Sequence, residues 1–266
     1  MDWFHLIDTS RVIVFTLILV RVSGIMLMSP VLSGTEIPMQ VRAIAALALT
    51  LLILPSQWMV PIGEVRNLTA YAILVAAELG IGLSIGLGVN IFFTGISLAG
   101  ELVGQLGGLM VSHIFDPVSG DQTPLMSRML HYLGVVVFVA VGGLQVLITT
   151  LIETFETLPI AAGVLQPSIA FAFVKILDAS FCLAIRMAAP VIVAVLVSYL
   201  VIGLLSKTLP QLNIMSIGFS INSCVMYTVL ILSLGSGIWC FQESIGDLFT
   251  TLLDGLHAQP QVLEPY

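Results

Sequence analysis

The sequence predicts an all-α polytopic membrane protein of about six long, partly kinked apolar helices. Three observations carry that reading. The 266 residues are 58% hydrophobic and only 9% charged. The mean hydropathy is +1.12. Apolar runs of about 20 residues, the length of helix that crosses a bilayer, recur along the chain. A soluble domain carries about 25% charged residues, so a water-soluble fold of this length would lack the charge to cover its surface.

The expected spans are residues 12–32, 43–61, 70–98, 132–152, 169–205 and 214–241. The third, fifth and sixth exceed one crossing and can tilt, project beyond the membrane or form a hairpin broken at Gly or Pro. Pro190, inside the fifth run, is the expected kink or break. The connections carry turn chemistry: SGTEIP (33–38), PIGEVRN (61–67), LPIAAGVLQPS (158–168) and SKTLPQLN (206–213). None is long enough for a separate soluble domain.

Several classes are excluded by what the residues lack. The net charge is −7 with 8 basic residues, so there is no basic stripe for nucleic acid. Cys182, Cys224 and Cys240 are far apart and form no CxxC pair; they read as small packing residues. The four histidines, His5, His113, His131 and His257, show no HExxH or other ligand spacing. No metal or cofactor is expected, and no nucleotide loop or nucleophile elbow is present. The N-terminus is acidic before its apolar run and does not look like a cleaved signal peptide.

Three features ask for a function. The first is charge inside the spans. Arg21, Glu78, Lys175, Asp178 and Arg186 fall within apolar runs, with Glu101 near the end of one. Each costs about 2.5–3.5 kcal/mol at a helix centre on the insertion scale. Such charges pair with one another, form an ion relay or line a polar seam between subunits. Lys175 and Asp178, three residues apart, can neutralise each other on one helix face. The second is glycine spacing. Gly82 and Gly86, and Gly100 with Gly104 and Gly108, repeat every four residues and let helix backbones approach closely. Glu101 and Gln105 beside the second ridge need polar partners.

The third is GQLGGLMVSHIFDPVSGDQTP (104–124). Gly107-Gly108 loosens a helix, and Asp116-Pro117 ends one. Met110, Ile114 and Phe115 between them are large and apolar. Such a segment either dips into the membrane surface as a plain loop or seals an aqueous path, since hydrophobic constrictions gate by dewetting.

Taken in order, RVSGIMLMSPVLSGTEIPMQVR (21–42), AAELGIGLSIGLGVN (76–90), AGELVGQLGG with FDPVSG (99–120), ETFETLPI (153–160) and LPQLNIMSIGFSI (209–221) resemble the FliR family of flagellar and type III secretion export-gate proteins. The resemblance covers nearly the whole chain. Leu144 stands where many flagellar relatives have His, and Ser220 where a Pro is common.

The resemblance implies a non-enzymatic component that joins FliP-like and FliQ-like subunits in a closed channel for unfolded flagellar subunits. FlhB-like and FlhA-like export proteins would adjoin it, at the basal body in the bacterial inner membrane. It further implies helical hairpins, with a FliP-like portion over about 1–205 and a FliQ-like portion over about 206–266. The loop at 105–122 would be a pore plug, with Gly107 and Gly108 as hinge, Met110, Ile114 and Phe115 as seal, and Asp116-Pro117 as turn. A polytopic ion or small-molecule transporter using Arg21, Glu78, Lys175, Asp178 and Arg186 is the alternative.

Overall fold

A computed structural model describes residues 9–34, 37–58, 67–108, 124–161, 167–208 and 214–257. These form eight α-helices, with no strand among the described residues. They are α1 (Thr9–Met28), the single turn α2 (Pro30–Ser33), α3 (Met39–Ile53, extended by a 3-10 turn at Leu54–Gln57), α4 (Leu68–Leu106), α5 (Leu125–Ala140), α6 (Gly143–Thr157), α7 (Ser168–Thr208) and α8 (Ile214–His257). Five are long and apolar enough to cross a membrane, or six if α5 and α6 are one broken span. The all-α polytopic class follows from these elements.

Prolines and left-handed glycines set the helix boundaries. Pro38 and Pro124 precede α3 and α5, and Pro30 opens α2, where a missing N–H costs nothing. Gly108, with φ +82°, follows the last turn of α4, the usual conformation just past a helix end. The expected span at 132–152 is divided: Gly142 adopts φ +85° and separates α5 from α6. Pro190 does not break α7, which runs unbroken through it. A proline removes one backbone bond and crowds one carbonyl, and a 41-residue helix retains the rest of its ladder. A left-handed residue changes the course of the backbone itself, so the break falls at Gly142.

The chain forms two compact units. One contains residues 1–91, 142–176 and 247–266, the other 92–141 and 177–246. In the first, α1 packs on α3 and runs parallel to the early part of α4. Tyr71 donates to Thr16 Oγ1 (2.8 Å), and Asn90 donates to the Met28 carbonyl at the end of α1 (3.0 Å). Leu17, Ile18, Val22, Ile81, Ile85 and Phe155 are among its buried side chains.

In the second unit the later part of α4 runs antiparallel to α5 and α8. Phe93 lies at the middle of its core, 5.5 Å from Phe138 and 5.9 Å from Phe241 between ring centroids, both edge to face. Gly100 and Gly104 lie against α5, and a side chain on Gly100 would strike the backbone of Met126 and Ser127. Ser127 donates to the Ser97 carbonyl (2.7 Å) at the same crossing.

The left-handed Gly142 generates a contrast between two glycines. A Cβ there would be 3.3 Å from Gln145 Oε1 and would be held at positive φ. Gly142→Ala is therefore expected to cost about 1–2 kcal/mol. Gly203 lies inside the last two turns of α7, with open space around it, so Gly203→Ala should be neutral or stabilising by up to about 1 kcal/mol. Thermal unfolding of the two variants in detergent checks the pair: equal shifts would contradict the assignment.

Candidate functional site

Arg21 on α1 and Glu78 on α4 are 0% and 1% exposed and paired at 2.5 Å, Nε to Oε2. A lone pair of this kind in an apolar interior is costly unless every remaining polar atom is also bonded. Here the chain after α6 completes it. Arg21 Nη1 donates to the Thr154 and Leu158 carbonyls (3.0 and 3.2 Å), and Nη2 donates to Leu158 (3.1 Å). The guanidinium therefore caps carbonyls at the C-terminus of α6, where the helix dipole also favours a cation.

The other carboxylate oxygen is used as well. Glu78 Oε1 accepts from the Ala161 N–H (3.2 Å). Ala161 is held at φ +68°, a left-handed conformation that costs an alanine about 1–2 kcal/mol. The guanidinium carbon also sits 4.2 Å from the centroid of the buried Phe155 ring, a cation–π contact.

Close approach of α1 and α4 makes this geometry accessible. A Cβ on Gly82 would run into the Arg21 carbonyl oxygen, and one on Gly24 would lie 2.9 Å from Leu83 N. One turn on, a Cβ on Gly86 would be 2.8 Å from Met28 Cβ. The backbones touch at the level of the ion pair, so Glu78 reaches Arg21 without spanning a gap.

Other charges behave differently. Lys175, Asp178 and Arg186 are exposed on α7 and have no ion-pair partner among the described residues. The expected Lys175–Asp178 neutralisation does not form: both side chains are exposed and no ion pair joins them. They are thus not buried within this chain. The polar pair beside the Gly100–Gly104 ridge satisfies itself locally: Gln105 Nε2 donates to Glu101 Oε1 (3.0 Å) one turn earlier, at an exposed position. Cys182 and Cys224 are exposed and Cys240 is half-buried, so none is a fully packed core residue.

At the end of α4, Gly107 packs on Met226 and Gly108 faces Phe219. Tyr199 donates to the Leu106 carbonyl (2.8 Å) and Ser223 to the Gly107 carbonyl (3.4 Å). Two carbonyls that the helix end leaves open are thereby held by α7 and α8. Met110, Ile114, Phe115, Asp116 and Pro117 lie outside the described residues.

Sequence reasoning missed Gly24, Thr154, Leu158 and Ala161. Gly24 carried a signal, three residues after Arg21 on the same face. Leu158 and Ala161 act through backbone atoms, which leave none, and Thr154 through its carbonyl with its hydroxyl at 3.5 Å from Arg21 Nη1. No group of His, Cys, Asp and Glu with metal-holding geometry occurs among the described residues.

Removing either charge strands the other. Arg21→Ala or Glu78→Ala should cost about 3–5 kcal/mol, measured by chemical unfolding in mixed micelles. The double variant Arg21→Met/Glu78→Leu should recover much of that, short by about 1–3 kcal/mol for the α6 carbonyls and Ala161 N–H left unpaired. If Glu78→Ala costs no more than Glu101→Ala, the pair does not organise the unit.

Residues 12–248 match the family model for bacterial export proteins, family 1. Relatives include the flagellar biosynthetic protein FliR of Escherichia coli, 31% identical over 208 residues and 78% of each chain. The FliR of Pectobacterium carotovorum is 30% identical over 239 residues, 88% of each chain. That of Aquifex aeolicus is 28% identical over 231 residues, 85% of this chain and 88% of its own. The match runs through α1 to α8 and includes the Arg21–Glu78 pair and both glycine ridges, so the chain belongs to the FliR family of bacterial export proteins.

Proposed function

We propose that this chain is a non-enzymatic core component of a flagellar type III export gate. It assembles with FliP-like and FliQ-like subunits around a channel for unfolded flagellar subunits in the bacterial inner membrane, at the basal body. The observation that carries the reading is the surface of the three long helices. α4, α7 and α8 have 39, 41 and 44 residues, about 58, 62 and 66 Å at 1.5 Å per residue. A bilayer core is about 30 Å thick. Large apolar side chains such as Ile73, Phe171, Leu200 and Leu232 are exposed along them. Lipid can cover only about half of each helix, and neighbouring subunits supply the remainder.

On this reading residues 1–205 are the FliP-like portion and 206–266 the FliQ-like portion. Residues 105–122 are the pore plug. Gly107 and Gly108 act as its hinge, Met110, Ile114 and Phe115 as its deformable seal, and Asp116-Pro117 as its turn. The bonds from Tyr199 and Ser223 to the last carbonyls of α4 support this, because they fix the helix up to the point where the plug departs. FlhB-like and FlhA-like proteins adjoin the gate, and the energy for export comes from outside this chain. A transporter relay would need charges open to a permeant ion. Of the five charges such a relay would use, Arg21 and Glu78 are fully engaged by Thr154, Leu158 and Ala161 and the other three lie apart from them on the exposed face of α7, which favours the gate.

Co-expression with the FliP-like and FliQ-like subunits of the same bacterium, followed by native mass spectrometry, is expected to give one discrete hetero-oligomer. A stable monomer or homodimer that ignores both partners would overturn the reading. In cells carrying the complex, deletion of residues 107–119 should raise membrane conductance to small ions. Unchanged conductance together with normal secretion would remove the plug assignment.

A further inference from the structure

The outward face of α7 changes character along its length. Residues 187–206 contain no charge, and exposed Val193, Val197 and Leu200 make that half suitable for lipid. Between residues 178 and 186 the exposed residues are Asp178, Ala179, Phe181, Cys182, Ile185 and Arg186. Spaced at three and four residues, they fall within one arc of a helix with about 3.6 residues per turn. The opposite side of the same stretch is already occupied: Ser180, Leu183 and Ala184 are buried, and Ser180 lies against Gly95 of α4.

Neither solvent suits this arc. In lipid, Asp178 and Arg186 would each cost about 2.5–3.5 kcal/mol at mid-membrane depth. They are eight residues apart, about 12 Å along the axis, too far to neutralise one another, and Lys175, exposed one turn before Asp178, forms no ion pair with it among the described residues. In water, Phe181 and Ile185, 49% and 59% exposed, would form an apolar strip between the two charges. Interleaved apolar and charged groups of this kind match a protein neighbour.

Symmetry selects the neighbour. Two copies of this chain inserted in the same orientation pair about an axis normal to the membrane. Such pairing sets Asp178 beside Asp178 and Arg186 beside Arg186, which repel. The antiparallel pairing that would match Asp178 with Arg186 requires the two copies to be inserted in opposite orientations.

We therefore propose that this face of α7 docks a membrane helix of a different subunit, with a cation level with Asp178 and a carboxylate level with Arg186. The proposal rests on the export-gate reading above, since it names a surface through which the gate is assembled.

The test places a photo-crosslinker at the centre of the arc, Cys182→p-benzoylphenylalanine, in the full chain co-expressed with its FliP-like and FliQ-like subunits. The expected product is a cross-link to one of those subunits, mapped to a helix with a carboxylate and a cation about two turns apart. Arg186→Glu should lower that product about tenfold through like-charge contact, while Arg186→Lys retains it. If Arg186→Glu fails to accumulate, the cross-link partner in the otherwise unaltered chain decides. A cross-link to a second copy of this chain, to lipid alone or to nothing, in a preparation that still holds the partner subunits, overturns this inference and leaves the gate reading intact. Failure of the partners to co-purify at all overturns both.

Discussion

The first unit depends on a buried guanidinium that has no access to water. Arg21 is among the largest fully buried side chains of the described residues, and its charge can persist there only if carboxylate and carbonyl oxygens surround it. That requirement ties together three pieces distant in sequence: α1, α4 and the chain leaving α6. It also accounts for local features that are otherwise unmotivated. Gly82 and Gly24 bring two backbones together at that level, and Ala161 is held at positive φ so that its N–H meets the second carboxylate oxygen. Replacing the pair with hydrocarbon would simplify the electrostatics but release the end of α6. Its stabilising contribution is therefore partly in the cap and partly in the register it imposes.

Among the described residues, the second unit holds no buried ion. Its contacts are aromatic edges around Phe93, the Gly100–Gly104 approach to α5, and short hydroxyl bonds such as Ser198 to Asn222 Oδ1 at 2.6 Å. The two units thus use different means to the same end. In both, α4 approaches its neighbour at a glycine and a polar group bonds close by, as small-residue packing in membranes requires. One long helix carries Glu78 in the first unit and the Gly100–Gly104 ridge in the second.

The sequence made the class and most of the elements legible because apolar run length and turn residues are local signals. The charges at Arg21 and Glu78 were legible as residues needing partners, since the cost of isolation is large wherever the helix sits. Their pairing was not, because the residues are separated by 57 positions in the chain and half of the site consists of backbone atoms. Local reasoning failed where two readings were sterically open. Lys175 and Asp178 share a helix face, yet their direction depends on what covers that face. Pro190 and Gly142 are both helix disruptors by type, but a proline removes one bond of a long ladder whereas a left-handed glycine redirects the backbone.

The left-handed Gly142 has a consequence for how the protein is made. It divides one apolar stretch into helices of 16 and 15 residues, about 24 and 22 Å long at 1.5 Å per residue. Each is shorter than the hydrocarbon core of about 30 Å, so neither half is a complete signal for membrane insertion by itself. A nascent chain presents them as one uninterrupted greasy segment. The bend interrupts the helical ladder in mid-segment, and non-helical backbone at membrane depth is tolerated only where protein or water covers it. The break at Gly142 is thus coupled to the packing around it: the bend belongs to the folded protein and not to the isolated segment.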